Sequence, residues 1–439
     1  MLDINFLREN SKLVKENIKK RGEKYNSGLV DDVLQLDKEW RELKGKTDEL
    51  RHERNKITIE ITKLSKEKKD ISLLVKKARS LPDEIKTNEQ RIETLRNSID
   101  NIMLQIPNMM LGDVPIGKDG NDNVVVKKWG KIKKAKFELK NHAELLESFG
   151  CADFDMGISN AGKGFNYLKG EIALLDLALQ RYGVEFLLKN GFTPVVPPMM
   201  LNKETLLGAL NGLKDFEDVV YKVDNQDLYL IGTAEHSLVS MLKNKLLNVD
   251  ELPKKFFAVT PCFRKEIGGH GIDMKWLFRM HQFNKVEQVV FSKPGDSLKI
   301  LKYMQGLTEK FFQSLGIPYR VIEICSGDLG AKFAKQWDIE AWFPRQNEYR
   351  EVTSAGSCTN YQSVALNIKY LDQDKKDYLH ILNNTMVATS RAMVAILENC
   401  QQKDGSVVVP KVLIKYMNGV KIIGKVGKKV NKTKVIKKK

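Results

Sequence analysis

The sequence predicts an α+β protein in which a domain built on a largely antiparallel sheet with flanking helices follows a long antiparallel helical hairpin. Three observations predict it. A hydrophobic seam with steps of three and four runs through the first quarter of the chain. A stretch rich in Pro, Gly, Asn and Asp then ends it, and beyond that stretch short β-rich runs alternate with helical ones. The chain of 439 residues is long enough for two or three domains.

Residues 1–25 read as one helix. Leu7, Val14 and Ile18 fall near helical spacing, and Lys19, Lys20, Arg21 and Gly22 make a basic, glycine-ended C-terminus. The seam follows at Val33, Leu36, Trp40, Leu43, Thr47, Leu50, Arg54, Ile57, Ile61 and Leu64. Eight of these ten are apolar, which is an a/d pattern over more than four heptads. A polar break at 65–70 separates it from Ile71, Leu74, Val75 and Ala78 and from a second seam at Ile85, Ile92, Leu95, Ile99, Ile102 and Ile106. Two seams joined by a polar turn make a helical hairpin, an arm on the order of 50 Å long. Pro82 is expected to kink or restart the returning helix, with Ser80 as a cap. By pattern alone, such an arm suits a dimerisation or spacer coiled coil better than an RNA reader. The resulting partition is a helical arm at 1–107, a linker at 108–123, an α+β domain at 124–416 and a Lys-rich tail at 417–439.

In the second domain, 124–126, 229–231, 256–259, 286–291 and 319–322 read as strands, and 171–190 and 378–400 as helices. The segment GFTPVVPPMM at 191–200 mixes β-branched residues with prolines. Proline cannot donate to a central ladder, so this segment belongs at a sheet edge or an interface.

The net charge of +17 is uneven. Residues 1–107 hold 24 basic and 20 acidic residues, 108–410 hold 38 and 36, and 411–439 hold 11 lysines and no acid. The lysine tail suits either a polyanion, through counterion release, or simple solvation, and both readings stand. The five cysteines form neither a disulfide framework nor a zinc-ligand set. No apolar run approaches the ~20 residues of a membrane span, and the start MLDINF lacks the pattern of a secretory signal. A cytoplasmic protein is expected.

The chemistry concentrates in a few clusters. FRKE at 263–266, a Gly-rich loop, FRMHQF at 278–283 and Val286-Glu287 read as strand, loop, strand. Such strands would set arginines, acids and an aromatic ring over one surface. That suits a nucleotide, with Arg for phosphate, a ring face for the base and an acid for an amine. TAE at 233–235, YREVTS at 349–354, and NNT at 383–385 leading to Arg391 add to it. Each alone is weak. In this order, with MLDINFLREN at the start and AKQWDIEAWFPRQNEYREVTS at 334–354, they resemble the seryl-tRNA synthetases, class II aminoacyl-tRNA synthetases. The resemblance covers 1–416. It is to the common, archaeal/eukaryotic-like form rather than the zinc-containing one, so no zinc is expected.

The resemblance implies ATP-dependent joining of L-serine to tRNA(Ser) through a seryl-adenylate, and admits tRNA(Sec) as a further substrate. It implies that Arg264 and Arg391 are the catalytic cations, Arg264 on the α-phosphate and serine carboxylate, Arg391 on the γ-phosphate. Lys265, Glu266, Met280, Phe283, Glu351, Val352, Thr353 and Ser354 would complete the ATP site, with Phe283 stacked on adenine. Glu351 and Ser354 would hold Mg²⁺. Thr233, Glu235, Glu287, Asn383 and Thr385, with Arg264, would form the serine pocket. The hairpin would read the long variable arm of tRNA, using basic residues such as Arg51, Arg54, Lys63, Lys66 and Lys77. The 191–200 segment would pair two copies in a homodimer. The sequence departs from the family pattern at Trp276, where GxDT(K/R)GLFR has a glycine that can serve a positive-φ turn. It departs again in SAGSCTNYQSVAL at 354–366, set against SCSNCTDxQARRL, and at His236-Ser237, where a proline is common nearby. Two other functions stay open: adenylation of serine for a non-tRNA carrier, and a catalytically impaired synthetase-like RNA-binding protein.

Overall fold

The computed structural model describes residues 1–210, 212, 216, 218–266 and 276–424. They divide into two compact units, Met1–Met110 and Leu111–Lys439.

The first unit is helical. The seam positions of the outgoing helix Leu29–Lys66 are all buried or half-buried, Arg54 and Thr47 included, and they face the returning helix Ser72–Met103. At 1.5 Å per residue the 38-residue outgoing helix is about 57 Å long. Ile57, Leu81 and Ile85 form a small apolar cluster along it. Ion pairs lace the two helices, Lys46 to Glu84 at 3.0 Å, Arg51 to Glu89 at 2.8 Å and Arg91 to Glu39 at 2.7 Å, and Lys77 pairs with Glu53. Two expectations fail here. Pro82 lies inside an unbroken helix, and Ser80 donates to the Lys77 carbonyl instead of capping. Position 82 is solvent-flanked, so water can take the carbonyl that proline leaves unbonded. The expected first helix is two, Ile4–Glu9 and Ser11–Lys20, because Asn10 leaves helical geometry at ψ 30°. Arg8 then reaches Asp37 on the outgoing helix at 2.6 Å.

The second unit is built on an eight-stranded sheet. Its order is Val124–Trp129, Tyr319–Glu323, Lys335–Phe343, Glu348–Ser357, His380–Ala388, Gln282–Ser292, Lys254–Phe263 and Thr193–Pro194. All neighbours are antiparallel except the last pair. Thr193–Pro194 lies at the edge, where proline's missing donor does least harm. Helices Gly170–Lys189, Ser297–Leu315 and Thr389–Asn399 cover one face with the main core. A smaller core on the other face joins Leu238, Val289, Phe291, Leu366 and Ile381.

The expected helix at 378–400 is wrong in its first half. His380–Ala388 is a central strand bonded on both sides, and the helix begins only at Thr389. A strand buried on both faces loses the alternation that marks strands in sequence. The tail expected from 417 is also shorter than supposed. Met417 and Ile423 are fully buried, Ile422–Ile423 pairs with Val407–Val408, and the Gly424 amide donates to Glu171. The remaining eight tail lysines lie outside the described residues.

The 108–123 segment is more than a spacer. Leu111 donates to the Ala334 carbonyl at 2.9 Å, Pro115 accepts from Ser326 at 2.8 Å, and Asn123 accepts from the Cys325 amide at 2.9 Å. From 111 onward it is a strap fastened over the loop that joins Tyr319–Glu323 to Lys335–Phe343.

Candidate active site

Strand alternation sets the site. On Gln282–Ser292, Val286 and Val290 enter the main core, so Glu287 shares the opposite face with Val289 and Phe291. On His380–Ala388, Leu382 and Met386 enter the main core, so Asn383 and Thr385 share the side of Ile381. The two strands pair directly, and the Thr385 hydroxyl donates to Glu287 Oε2 at 3.0 Å.

A cavity of about 360 Å³ opens over this face. Thr233, Glu235, Arg264, Glu266, Met280, Phe283, Glu287, Glu351, Val352, Thr353, Ser354, Asn383, Thr385 and Arg391 line it. Of the expected residues only Lys265 does not. Its amide donates to the Val219 carbonyl at 2.8 Å, and its ammonium lies 6.0 Å from the Tyr221 ring centre. Lys265 and its neighbour Arg264 both lie just past the end of strand Lys254–Phe263, where the backbone bond to Val219 fixes Lys265 apart from Arg264.

Arg264 is held by a bond from Nε to the Gly232 carbonyl at 3.1 Å and lies 5.5 Å from the Phe283 ring centre. Arg391, in the first turn of Thr389–Asn399, pairs with the Glu351 carboxylate at 3.1 Å and lies 5.3 Å from the Phe278 ring centre. Glu266 pairs with Arg279 at 3.4 Å. Thr233 caps Ala234–Ser240 and accepts from the Glu235 amide. Most of the Gly-rich loop, 267–275, lies outside the described residues; Trp276, at its end, adopts φ +60°. That is the left-handed conformation a glycine would favour, and the indole packs on Phe154 with ring centres 4.3 Å apart.

Sequence reasoning assigned no role to four charged or titratable residues of this cavity: His236, Arg279, Lys285 and Lys332. Lys285 pairs with Glu287 at 2.7 Å and Lys332 with Glu235 at 2.5 Å, all four side chains almost wholly buried. Burial pushes Glu235 upward most strongly, but the Lys332 ammonium, with a hydrogen bond from Gln362, holds the carboxyl below its ordinary range. Burial wins for Glu287, whose carboxyl stands above its ordinary value despite Lys285. Burial takes His236 down to about 3, so its imidazole is neutral, with Nδ1 facing the Gly232 amide at 3.4 Å. Lys285 was legible, two residues before Glu287 on the same strand face. Lys332 had no such signal.

Comparison with known proteins gives the family. Residues 1–110 match the family model described as seryl-tRNA synthetase N-terminal domain, and 219–400 the tRNA synthetase class II core domain (G, H, P, S and T). The serine–tRNA ligase of Methanocella arvoryzae is 47% identical over 426 residues, covering 96% of this chain and 100% of the relative. The chain belongs to the seryl-tRNA synthetases. The serine–tRNA ligase of Pyrococcus horikoshii is 46% identical over 98% of this chain and 99% of its own length. The crystal structure of seryl-tRNA synthetase from that organism complexed with ATP superposes with a TM-score of 0.87 at 45% identity, covering 96% and 99% of the two chains. The cytoplasmic serine–tRNA ligase of Naegleria fowleri in complex with AMP gives 0.81 at 34% identity over 96% and 98%. A prolyl-tRNA synthetase from Giardia lamblia, at 16% identity and 0.55, shares the fold alone.

As a seryl-tRNA synthetase, the chain has long paired helices in its first unit and, in its second, a class II sheet with the cavity over one face. The donor set at Glu351 and Ser354, a carboxylate and a hydroxyl, suits a hard divalent cation such as Mg²⁺. Arg391 keeps the Glu351 carboxyl below its ordinary value, and the Ser354 hydroxyl accepts from Gln336 at 3.0 Å. Among the described residues no helix is long and apolar enough to cross a membrane.

Proposed function

We propose that the protein activates L-serine with ATP and transfers it to tRNA(Ser). One observation carries the reading: a single cavity gathers Arg264, Arg279 and Arg391 with two buried Glu–Lys pairs. Activation needs no general base, because the serine carboxylate is itself the nucleophile. Its oxygen attacks the α-phosphorus, the bond to the β-phosphate bridging oxygen breaks, and pyrophosphate leaves. The difficulty is bringing two anions into line. Arg264 and Arg391 offset that repulsion, and fixed geometry supplies much of the rate. A Mg²⁺ ion on Glu351 and Ser354 would neutralise phosphate charge. Phe283 and Met280 would flank adenine. Arg391 sits where the helix N-terminus also favours phosphate. Glu235 and Glu287 would meet the serine ammonium and hydroxyl, with Thr233, Asn383 and Thr385 beside them. An unmet buried acceptor would reject alanine.

The arm would hold the long variable arm of tRNA(Ser). Arg51 and Lys77 already pair across the hairpin, so the exposed Lys63 and Lys66 are its freer contacts. A homodimer is supported by apolar side chains left exposed on adjoining segments: Leu174, Leu177 and Leu188, then Val196, Met199 and Met200.

The test is serine-dependent ATP–pyrophosphate exchange and serylation of tRNA(Ser), measured on one preparation. Both activities are expected. Exchange without serylation would favour the carrier reading, and neither activity would favour the RNA-binding one. Serylation of tRNA(Sec) is read in the same assay.

A further inference from the structure

Lys332 lies in the loop between Tyr319–Glu323 and Lys335–Phe343, 6% exposed, with Nζ 2.5 Å from Glu235 Oε1. Gln362 Nε2 donates to that same oxygen at 2.8 Å. Both described donors therefore fall on Oε1, and none of the described side-chain bonds reaches Oε2. Glu287 is arranged alike. Lys285 and Thr385 both fall on its Oε2, at 2.7 and 3.0 Å. Each acid has one oxygen doubly held and the other left to the cavity.

The loop cannot readily withdraw its lysine. Phe333 lies across Gly356, where a Cβ would come within 2.2 Å of the ring. The Ala334 amide donates to the Ser357 carbonyl at 2.8 Å, and its carbonyl accepts from Leu111 in the strap. Lys335 pairs with Glu323 at 2.5 Å and with Asp113 at 2.9 Å.

We infer that Lys332 is a positioning residue for the amino-acid substrate, holding the Glu235 carboxylate turned so that Oε2 faces the substrate ammonium. The inference rests on the serine site proposed above. Lys332 acts through Glu235 and not on the amino acid directly, because an ammonium set against the substrate's own ammonium would repel it. Without Lys332, burial would favour the protonated acid, and nothing would fix which oxygen faces inward.

The charged and titratable groups around Glu235 are Lys332, His236, Arg264, Lys285, Glu287 and, beyond Lys332, Cys358. His236 and Cys358 are neutral near pH 7, since burial drives the imidazole down and the thiol up. Loss of Lys332 therefore falls on the two glutamates.

The experiment is serine-dependent pyrophosphate exchange by the full chain. In Lys332→Met the KM for serine should rise about tenfold to a hundredfold, the worth of one charge-assisted bond. The KM for ATP should stay within about twofold, and the acid limb of kcat/KM for serine should move to higher pH. Lys332→Arg, which keeps the charge, should restore that limb. A serine KM unchanged in Lys332→Met, or serine and ATP constants rising together, overturns the inference. Should Lys332→Met not fold, the pair Glu235→Gln and Glu235→Gln/Lys332→Met decides. With the acid neutral, removing the lysine should change serine KM by less than about twofold, whereas a further tenfold loss would mean that Lys332 meets the substrate itself. A wild-type chain without serine-dependent exchange defeats the reading of the site before any variant is made.

Discussion

Asp37 lies beneath Arg8 and Arg41, 3% exposed, and ties the first short helix to the arm. Burial raises its carboxyl, but the two guanidinium groups overcome this and leave it below the ordinary value. A lowered folded pKa stabilises the fold above the ordinary aspartate range, near pH 3.9, and that stabilisation is lost as pH falls through the lowered value. Asp37→Asn should therefore cost about 1.5–3 kcal/mol at pH 7, and urea melts of variant and wild type should converge in strong acid. In the catalytic unit, Arg264→Ala should abolish serine-dependent exchange while leaving the fold intact by circular dichroism. Arg264 and Glu287 were legible because FRKE at 263–266 and FRMHQF with Val286-Glu287 resemble the seryl-tRNA synthetase motifs, whereas the strand–loop–strand pattern alone suggested only a surface of arginines, acids and an aromatic ring. Lys332 was not, because a loop lysine carries no period and its partner Glu235 is 97 residues away in sequence. Trp276 shows both kinds of outcome. Its positive φ was foreseeable from the glycine it replaces, and its support from Phe154 was not. Trp276→Gly removes a left-handed strain of about 1–2 kcal/mol but also a packed ring, and a net loss of about 1–3 kcal/mol is expected in thermal melts.

The helical hairpin was readable almost position by position, since a 3-4 seam is buried only if the two helices pair. Its irregularity was not. Pro82 continues the helix because exposure lets water serve the unbonded carbonyl, a matter of surroundings and not of sequence. Pro82→Ala should restore that bond and stabilise the arm by about 1–3 kcal/mol, seen as a higher unfolding midpoint for the arm. Leu81→Ala, in the arm's small core, should cost about 2–4 kcal/mol and lower serylation without touching exchange. The strand at 380–388 escaped notice for the opposite reason. Its residues are buried on both faces, polar and apolar alike, and nothing local separates such a run from a buried helix. The two neighbouring strands decide it.

At the scale of the molecule, the boundary positions matter most. The catalytic body extends to Gly424, so a tail deletion made after Met417 would strip the buried strand that carries Ile423. Deletion after Gly424 should keep exchange at the wild-type rate, and any loss of tRNA affinity confined to low salt would assign the lysines to RNA. Likewise a catalytic unit begun at Leu111 should retain exchange, while one begun at Val124 should lose it, because only the first keeps the strap on the loop that carries Lys332. Composition marked 108–123 as a linker, and chain direction alone could not reveal that it is bonded along its length.

The strap also covers Cys325. That thiol is fully buried, its sulfur 3.2 Å from the Asp119 carbonyl, and Gly117 lies so close that a Cβ there would stand 2.8 Å from the sulfur. The protein thus carries its own clock for the strap's opening. An alkylating reagent can reach Cys325 only while the strap is lifted, so the labelling rate, followed by peptide mass, measures how often the loop that carries Lys332 comes loose.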